Sequence, residues 1–242
     1  DLSGALPADQ APQVVPEANA HVLEGLKAPF QLSSPSPSAT NLAVVLAPLR
    51  GLLDIQRVAV TANLAVSAQG REAVSELARQ TAELLNVRPL EPQFFDRQMA
   101  FNLLAQVGKP DAQGHTALEK RLVHELRAVL ETPLLKISAT CVQAPVFFGD
   151  SLTVSLQLGA PVDLAAVNRV LEAAPGIELV EEGDYPTAVG DAVGQDVVYV
   201  GRVRAGVDDP AELNLWLTSD NVRKGAALNA VQLAQLLIKG LV

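Results

Sequence analysis

Lys136-Ile137-Ser138-Ala139-Thr140-Cys141-Val142 reads as a strand, and Ser151-Leu152-Thr153-Val154-Ser155-Leu156-Gln157-Leu158 as a second, with a bend at 145–150 between them. Upstream, residues 56–67 (Q-R-V-A-V-T-A-N-L-A-V-S) alternate and are rich in β-branched side chains, which predicts another strand. Downstream, residues 177–182, 196–204 and 213–218 predict three more. Helical stripes fall between them. Val74, Leu77, Ala78, Ala82 and Leu85 share one face over residues 70–85, and Leu118, Leu122 and Leu126 do so over 116–130. Residues 162–174 form a further helix with Asp163 near its start. The sum is an α+β chain, a mixed and largely antiparallel sheet with helices on one face. No internal repeat is visible.

The ends of the chain differ. Residues 1–38 are rich in Pro, Ser and Ala, and the runs at 6–16 and 33–38 predict irregular backbone, because Pro fixes φ and removes a donor. Ser38-Ala39-Thr40 then leads into Asn41-Leu42-Ala43-Val44-Val45-Leu46, a buried helix opened by a hydroxyl cap. Residues 224–241 predict a last helix, apolar nearly all round and therefore buried between elements.

Composition narrows the function. Of the 242 residues 49% are hydrophobic and 19% charged, enough for a sizeable core built on Ala, Val and Leu, since aromatics are only 4%. The net charge of -9 argues against nucleic-acid or anionic-membrane partners. No apolar run reaches the ~20 residues of a membrane span. The one cysteine excludes an internal disulfide, and with no signal peptide a cytoplasmic location is expected. A start at Asp1 rather than Met is expected of a fragment or processed chain.

Read residue by residue, the chain shows no obvious active site. His21, His115 and His124 have no metal-ligand spacing. Cys141 lies in an apolar strand with no basic neighbour, the setting of an inert thiol. Neither G-x-G-x-x-G nor a Walker sequence occurs. Asp150 is a lone loop carboxylate.

Several segments, in order, resemble the aspartate-semialdehyde dehydrogenase family. Ser219-Asp220-Asn221-Val222-Arg223-Lys224-Gly225-Ala226-Ala227-Leu228-Asn229-Ala230 is similar to that family's D-N-L-R-K-G-A-A-L-N-A. Val15-Pro16-Glu17, Phe95 to Asn102, Ser138 to Val142, Pro145 to Gly149 and Gly201 to Arg204 match further family motifs. The resemblance implies a homodimer, a cysteine nucleophile with a histidine relay, and NADP as hydride carrier. It also implies boundaries: 1–36 as the end of a nucleotide-binding domain, 37–220 as the dimerisation domain, and 221–242 as a helix returning to the nucleotide domain.

The reaction demands particular residue types, and the matching positions lack them. Pro37 stands at the nucleophile, Leu64 at the glutamine, Gln143 at the substrate-carboxylate arginine and Asp150 at the histidine. Pro7 replaces the phosphate-anchoring arginine, Ser36 the asparagine before the cysteine, Ala68 a glycine and Leu118 the first acid of E-E-x-K. Glu119 and Arg121 keep the charge of that motif and are the expected substrate-binding pair, while Asn221 and Gly225 match residues near the nicotinamide. The expectation is a non-catalytic, dimeric homologue that still binds NADP in a full-length protein. Two alternatives stand beside it. One is altered oxidoreductase or hydrolase chemistry using Asp150, Cys141 or Ser38. The other is a regulatory partner that associates with an active dehydrogenase subunit.

Overall fold

Alternation along the chain decides which face of each strand is covered. In β1 (Ile55–Leu64), Val58, Val60, Ala62 and Leu64 are buried and the intervening residues are not. In β3 (Asp150–Leu158), Leu152, Val154, Leu156 and Leu158 do the same, and in β6 (Glu212–Ser219) Leu213, Leu215 and Leu217. With β2 (Lys136–Gln143), β4 (Ile177–Leu179) and β5 (Val198–Ala205) they form one sheet of order β2-β1-β3-β6-β5-β4. Only the two outer pairs, β1 with β2 and β4 with β5, are parallel. The expected mixed, largely antiparallel sheet is therefore present. The computed structural model describes residues 1–6, 10–24, 26 and 31–240. Pro7 lies outside that set.

Helices cover one face. Helix α2 (Pro37–Leu49) is buried on nearly every side, and α4 (Ala117–Val129) and α5 (Leu164–Ala173) flank it over the inward strand residues. Two helix starts follow the sequence closely. Thr116 and Glu119 form a capping box on α4, and the Asp163 carboxylate accepts from Ala166 N at the start of α5. Short α1 (Pro16–Asn19) lies against α2. Helix α3 (Arg71–Leu85) builds a satellite core with Val66, Phe95, Met99 and Leu104. The irregular stretch 88–104 is held there by polar clamps. Glu76 accepts from Gln93 N, and Gln80 Oε1 accepts from Met99 N and Ala100 N.

Four expectations change. Helix α2 begins at Pro37, inside the run expected to be irregular, because Pro is suited to the first helical position. No hydroxyl caps it. Glu125 Oε2 of α4 accepts from Ser36 N at 2.7 Å, so the negative charge favoured at a helix N-terminus arrives from another helix. Strand β1 stops at Leu64 and a 3-10 turn (Val66–Gln69) follows, and β4 is only three residues. The last helix, α6 (Leu228–Gly240), is not enclosed. Asn229 and Leu233 are buried, but Val231 and Ile238 are 51% and 63% exposed. Only one stripe of it meets described residues, so its apolar character is not matched by burial.

Its base is anchored by a buried ion pair. Lys224, fully buried, donates to Glu17 Oε1 at 2.6 Å and to Gln232 Oε1 at 2.8 Å. Burial lowers the Lys224 ammonium pKa, and Glu17 opposes that shift. Removing one member strands a buried charge. Glu17→Ala is expected to cost about 3–5 kcal/mol in urea unfolding, and adding Lys224→Met to it should recover much of that loss. Equal stability of the wild type and Glu17→Ala would mean that the pair does not anchor the helix.

Candidate functional site

Topology brings four chain segments to one end of the sheet. Because β1 and β2 are parallel and in register, Leu64 and Gln143 end side by side. Because β3 is antiparallel to β1, its first residue, Asp150, starts at that end, and Ser219 at the end of β6 pairs with it. The N-terminus of α2 closes the side, tied to the sheet by a hydrogen bond from Asn41 Nδ2 to Ser219 Oγ. Between these ends lies a cavity of about 350 Å³.

Pro37, Leu64, Gln143, Asp150, Arg121 and Asn221 all line it. The positions singled out one by one along the sequence are thus one site in space. Glu119 and Gly225 are not on its wall. Glu119 spends both oxygens on backbone, accepting from Thr116 N at 2.8 Å and from Cys141 N at 3.1 Å. A Cβ on Gly225 would lie 2.5 Å from Pro37 Cβ, so that glycine permits close packing of the final turn on α2.

Most polar groups of the wall are already satisfied. Gln143 Nε2 donates to Leu64 O at 2.7 Å, and Gln69 Nε2 donates to Gln143 Oε1. Asn221 Oδ1 accepts from Gly149 N at 3.0 Å, and its amide donates to Ser67 Oγ at 3.1 Å. Gly149 has φ +88°, and a Cβ there would sit 2.8 Å from Ala188 O, so only glycine allows this approach. Arg121 donates to Glu125 Oε1 at 2.6 Å and to Ser3 O at 2.9 Å, which neutralises and occupies its guanidinium. Sequence reasoning missed Ser67 and Gln69, which sit in a turn that carries no periodic signal.

Two groups of the wall have no partner among the described residues: Asp150 Oδ2 and Ser36 Oγ, both buried. Asp150 is 1% exposed, and its Oδ1 accepts from Ala65 N at 2.9 Å. Burial pushes its carboxyl up to about 7, with Asp220 adding to the rise and the Ala65 N–H opposing it. Ser38 faces the cavity, but no hydrogen bond joins its hydroxyl to Asp150, so the pair does not form a nucleophile and base. Burial, with Glu119 and Asp150 nearby, pushes the Cys141 thiol up to about 12, the opposite of an activated cysteine. The three histidines lie elsewhere, exposed. Among the described residues no three His, Cys, Asp or Glu side chains gather as metal ligands, and no helix is long and apolar enough to cross a membrane.

Residues 46–224 match the family model described as semialdehyde dehydrogenase, dimerisation domain. The chain belongs to that family. It is 63% identical over 99% of its length to a USG-1 protein homolog of Azotobacter vinelandii, covering 71% of that protein. It is 40% identical to aspartate-semialdehyde dehydrogenase 2 of Vibrio cholerae, over 94% of this chain and 68% of that one. A solved structure of a probable aspartate-semialdehyde dehydrogenase from Pseudomonas aeruginosa superposes with a TM-score of 0.97 at 62% identity, over all of this chain and 72% of the other. The resemblance read from the motifs thus holds at family level, and so does the fold.

The buried carboxyl gives this member of the family a pH signature. A carboxyl whose folded pKa lies above its unfolded value binds protons more tightly when folded. Its contribution is favourable at pH below about 4 and is lost as pH rises through about 7. Asp150→Asn removes the titration. The stability of the wild type relative to this variant should fall by a few kcal/mol between pH 4 and pH 8, because each tenfold change in proton affinity is worth about 1.4 kcal/mol. Parallel stability–pH curves in urea titrations would count against the burial of this carboxyl.

Proposed function

We propose that this protein is a non-catalytic member of the semialdehyde dehydrogenase family, a dimeric scaffold that keeps the family's cleft without its reaction. One observation carries the reading: Pro37, Leu64, Gln143 and Asp150 converge on a single cavity whose described residues place no nucleophile beside a base. Proline offers neither thiol nor amide hydrogen, and glutamine cannot give a carboxylate the charge-assisted pair an arginine gives. Loss of a covalent nucleophile alone removes most of such an enzyme's rate.

The resemblance implies NADP, and this chain's residues do not by themselves fit its phosphates. There is no glycine-rich cradle, Gly225 is committed to packing on Pro37, and Asn221 is committed to Gly149 and Ser67. A nucleotide site in the complete protein would draw its phosphate ligands from other residues. We assign 1–36 and 221–242 to the side facing a nucleotide domain and 37–220 to dimerisation. The links from Lys224 to Glu17 and from Asn229 to Val14 O and Ser34 Oγ support that grouping, as do the uncovered apolar residues of α6.

The homodimer is supported by the uncovered face of the sheet. Thr140, Thr61, Thr153 and Trp216 line up across β2, β1, β3 and β6, and Ser138, Ala59 and Ser155 form a parallel row. Apart from Trp216 these side chains are short, which allows close approach of a second copy. Thr61→Lys, at the middle of that row, should halve the mass seen by sedimentation with little change in unfolding. A monomeric wild type at micromolar concentration would end this part of the reading.

The assay is direct. The purified protein, given aspartate semialdehyde, phosphate and NADP, should form NADPH no faster than a protein-free blank. Phosphate-dependent NADPH formation above that blank would overturn the proposal.

A further inference from the structure

Next to the cavity the chain leaves large apolar side chains uncovered. Neither 98–108 nor 137–149 contains a charged residue, in a chain of net charge -9. The fold joins these two stretches at Gln143, the last residue of β2. Leu104 N donates to Gln143 O at 3.0 Å and Gln143 N to Leu104 O at 2.8 Å, an antiparallel bridge. Leu103 therefore stands beside the start of the bend 144–149. The bend then passes the end of β1, where Phe147 O accepts from Ser67 N at 3.1 Å. Leu104 is buried in the satellite core, but Phe101 and Leu103 are 66% and 61% exposed, and Phe147 and Phe148 are 41% and 43% exposed. Phe101 also has φ +58°, in the left-handed region that bulky side chains avoid. Strain of this kind collects at places of contact and function.

Single exposed apolar residues are ordinary. Four of them on two segments bonded to each other, with no charge in either segment, are not. That is the composition of an interface centre, where aromatics are enriched and charges depleted. The occupant that fits is a second copy. The matched family model is a dimerisation domain and includes both segments. The uncovered sheet row leads to the same place, since Thr140 of that row and Gln143 of the bridge belong to one edge strand. An uncharged apolar surface also meets its own kind without repulsion, as a symmetric contact requires near its axis. We infer that Phe101, Leu103, Phe147 and Phe148 pack against a second copy of this chain, which brings the partner copy to the bend between the cavity residues Gln143 and Asp150. This inference rests on the homodimer reading and names where that contact reaches. The same bend holds two cavity residues, Ser67 through Phe147 O and Asn221 Oδ1 through Gly149 N, so the contact and the cavity share one segment.

Substitutions on the patch test it, read by sedimentation equilibrium over a concentration series. Phe101→Asp suits the backbone there, because Asp tolerates the left-handed region better than Phe does. Phe148→Asp places a charge on the bend. Each should raise the dimer dissociation constant by about tenfold or more, the scale of a central aromatic contact. Circular dichroism should match the wild type, which separates loss of contact from loss of fold. Leu103→Ser adds no charge, should act in the same direction, and decides the matter if a charged variant loses its fold. Val207→Asp is the control, 99% exposed but on the turn between β5 and β6, and should leave the constant unchanged. An unchanged constant in the folded patch variants, or an equal loss in Val207→Asp, would overturn the inference and leave the homodimer reading standing. A monomeric wild type would instead end the homodimer reading and this inference with it, so the two failures are distinguishable.

Discussion

The burial of α2 is the constraint on which the rest depends. A helix enclosed on nearly every side must have all its neighbours placed before it fits, and those neighbours are the sheet, α4, α5, and the terminal segments. Its amino end is mostly buried, so its free backbone amides draw on a partner from the protein. Glu125 supplies one at Ser36 N and is itself fixed by Arg121. The same enclosure brings Gly225 against Pro37 and Asn41 against Ser219, which fixes where the helix start meets the strand ends. The cavity is the space left at that meeting. Its position follows from packing, and its chemistry from the few side chains that happen to face it.

Much of this was legible in the sequence because the strands are short, alternating and amphipathic. Residues 55–64 and 150–158 show their inward face as Val, Ala and Leu at every second position. The helices α3, α4 and α5 carry stripes of the right period, and two of their caps are local. What escaped was nonlocal. The cap of α2 comes from a carboxylate 89 residues away, so no pattern around Ser38 or Thr40 could disclose it. The exposure of α6 escaped for the converse reason. Apolar composition measures what a helix prefers to touch and says nothing of what is present to touch it. At the site, motif matching found the positions but not their state. Glu119 and Arg121 looked alike as charged survivors, yet one is spent on a capping box and the other faces the cavity with its charge already balanced.

The substitutions also make sense as a set. A thiolate at position 37 would need an available cation, and the titratable side chains on the wall are Arg121, already paired with Glu125, and the buried carboxyl of Asp150. That environment raises a thiol pKa, as it does for Cys141. An arginine at position 143 would bring a charge to the wall, whereas the neutral glutamine is satisfied by Leu64 O and Gln69. Pro37 removes the nucleophile and accepts close packing from Gly225. Asp150 keeps a structural task in any case: its Oδ1 holds Ala65 N just past the end of β1, and an apolar residue there would strand that buried amide.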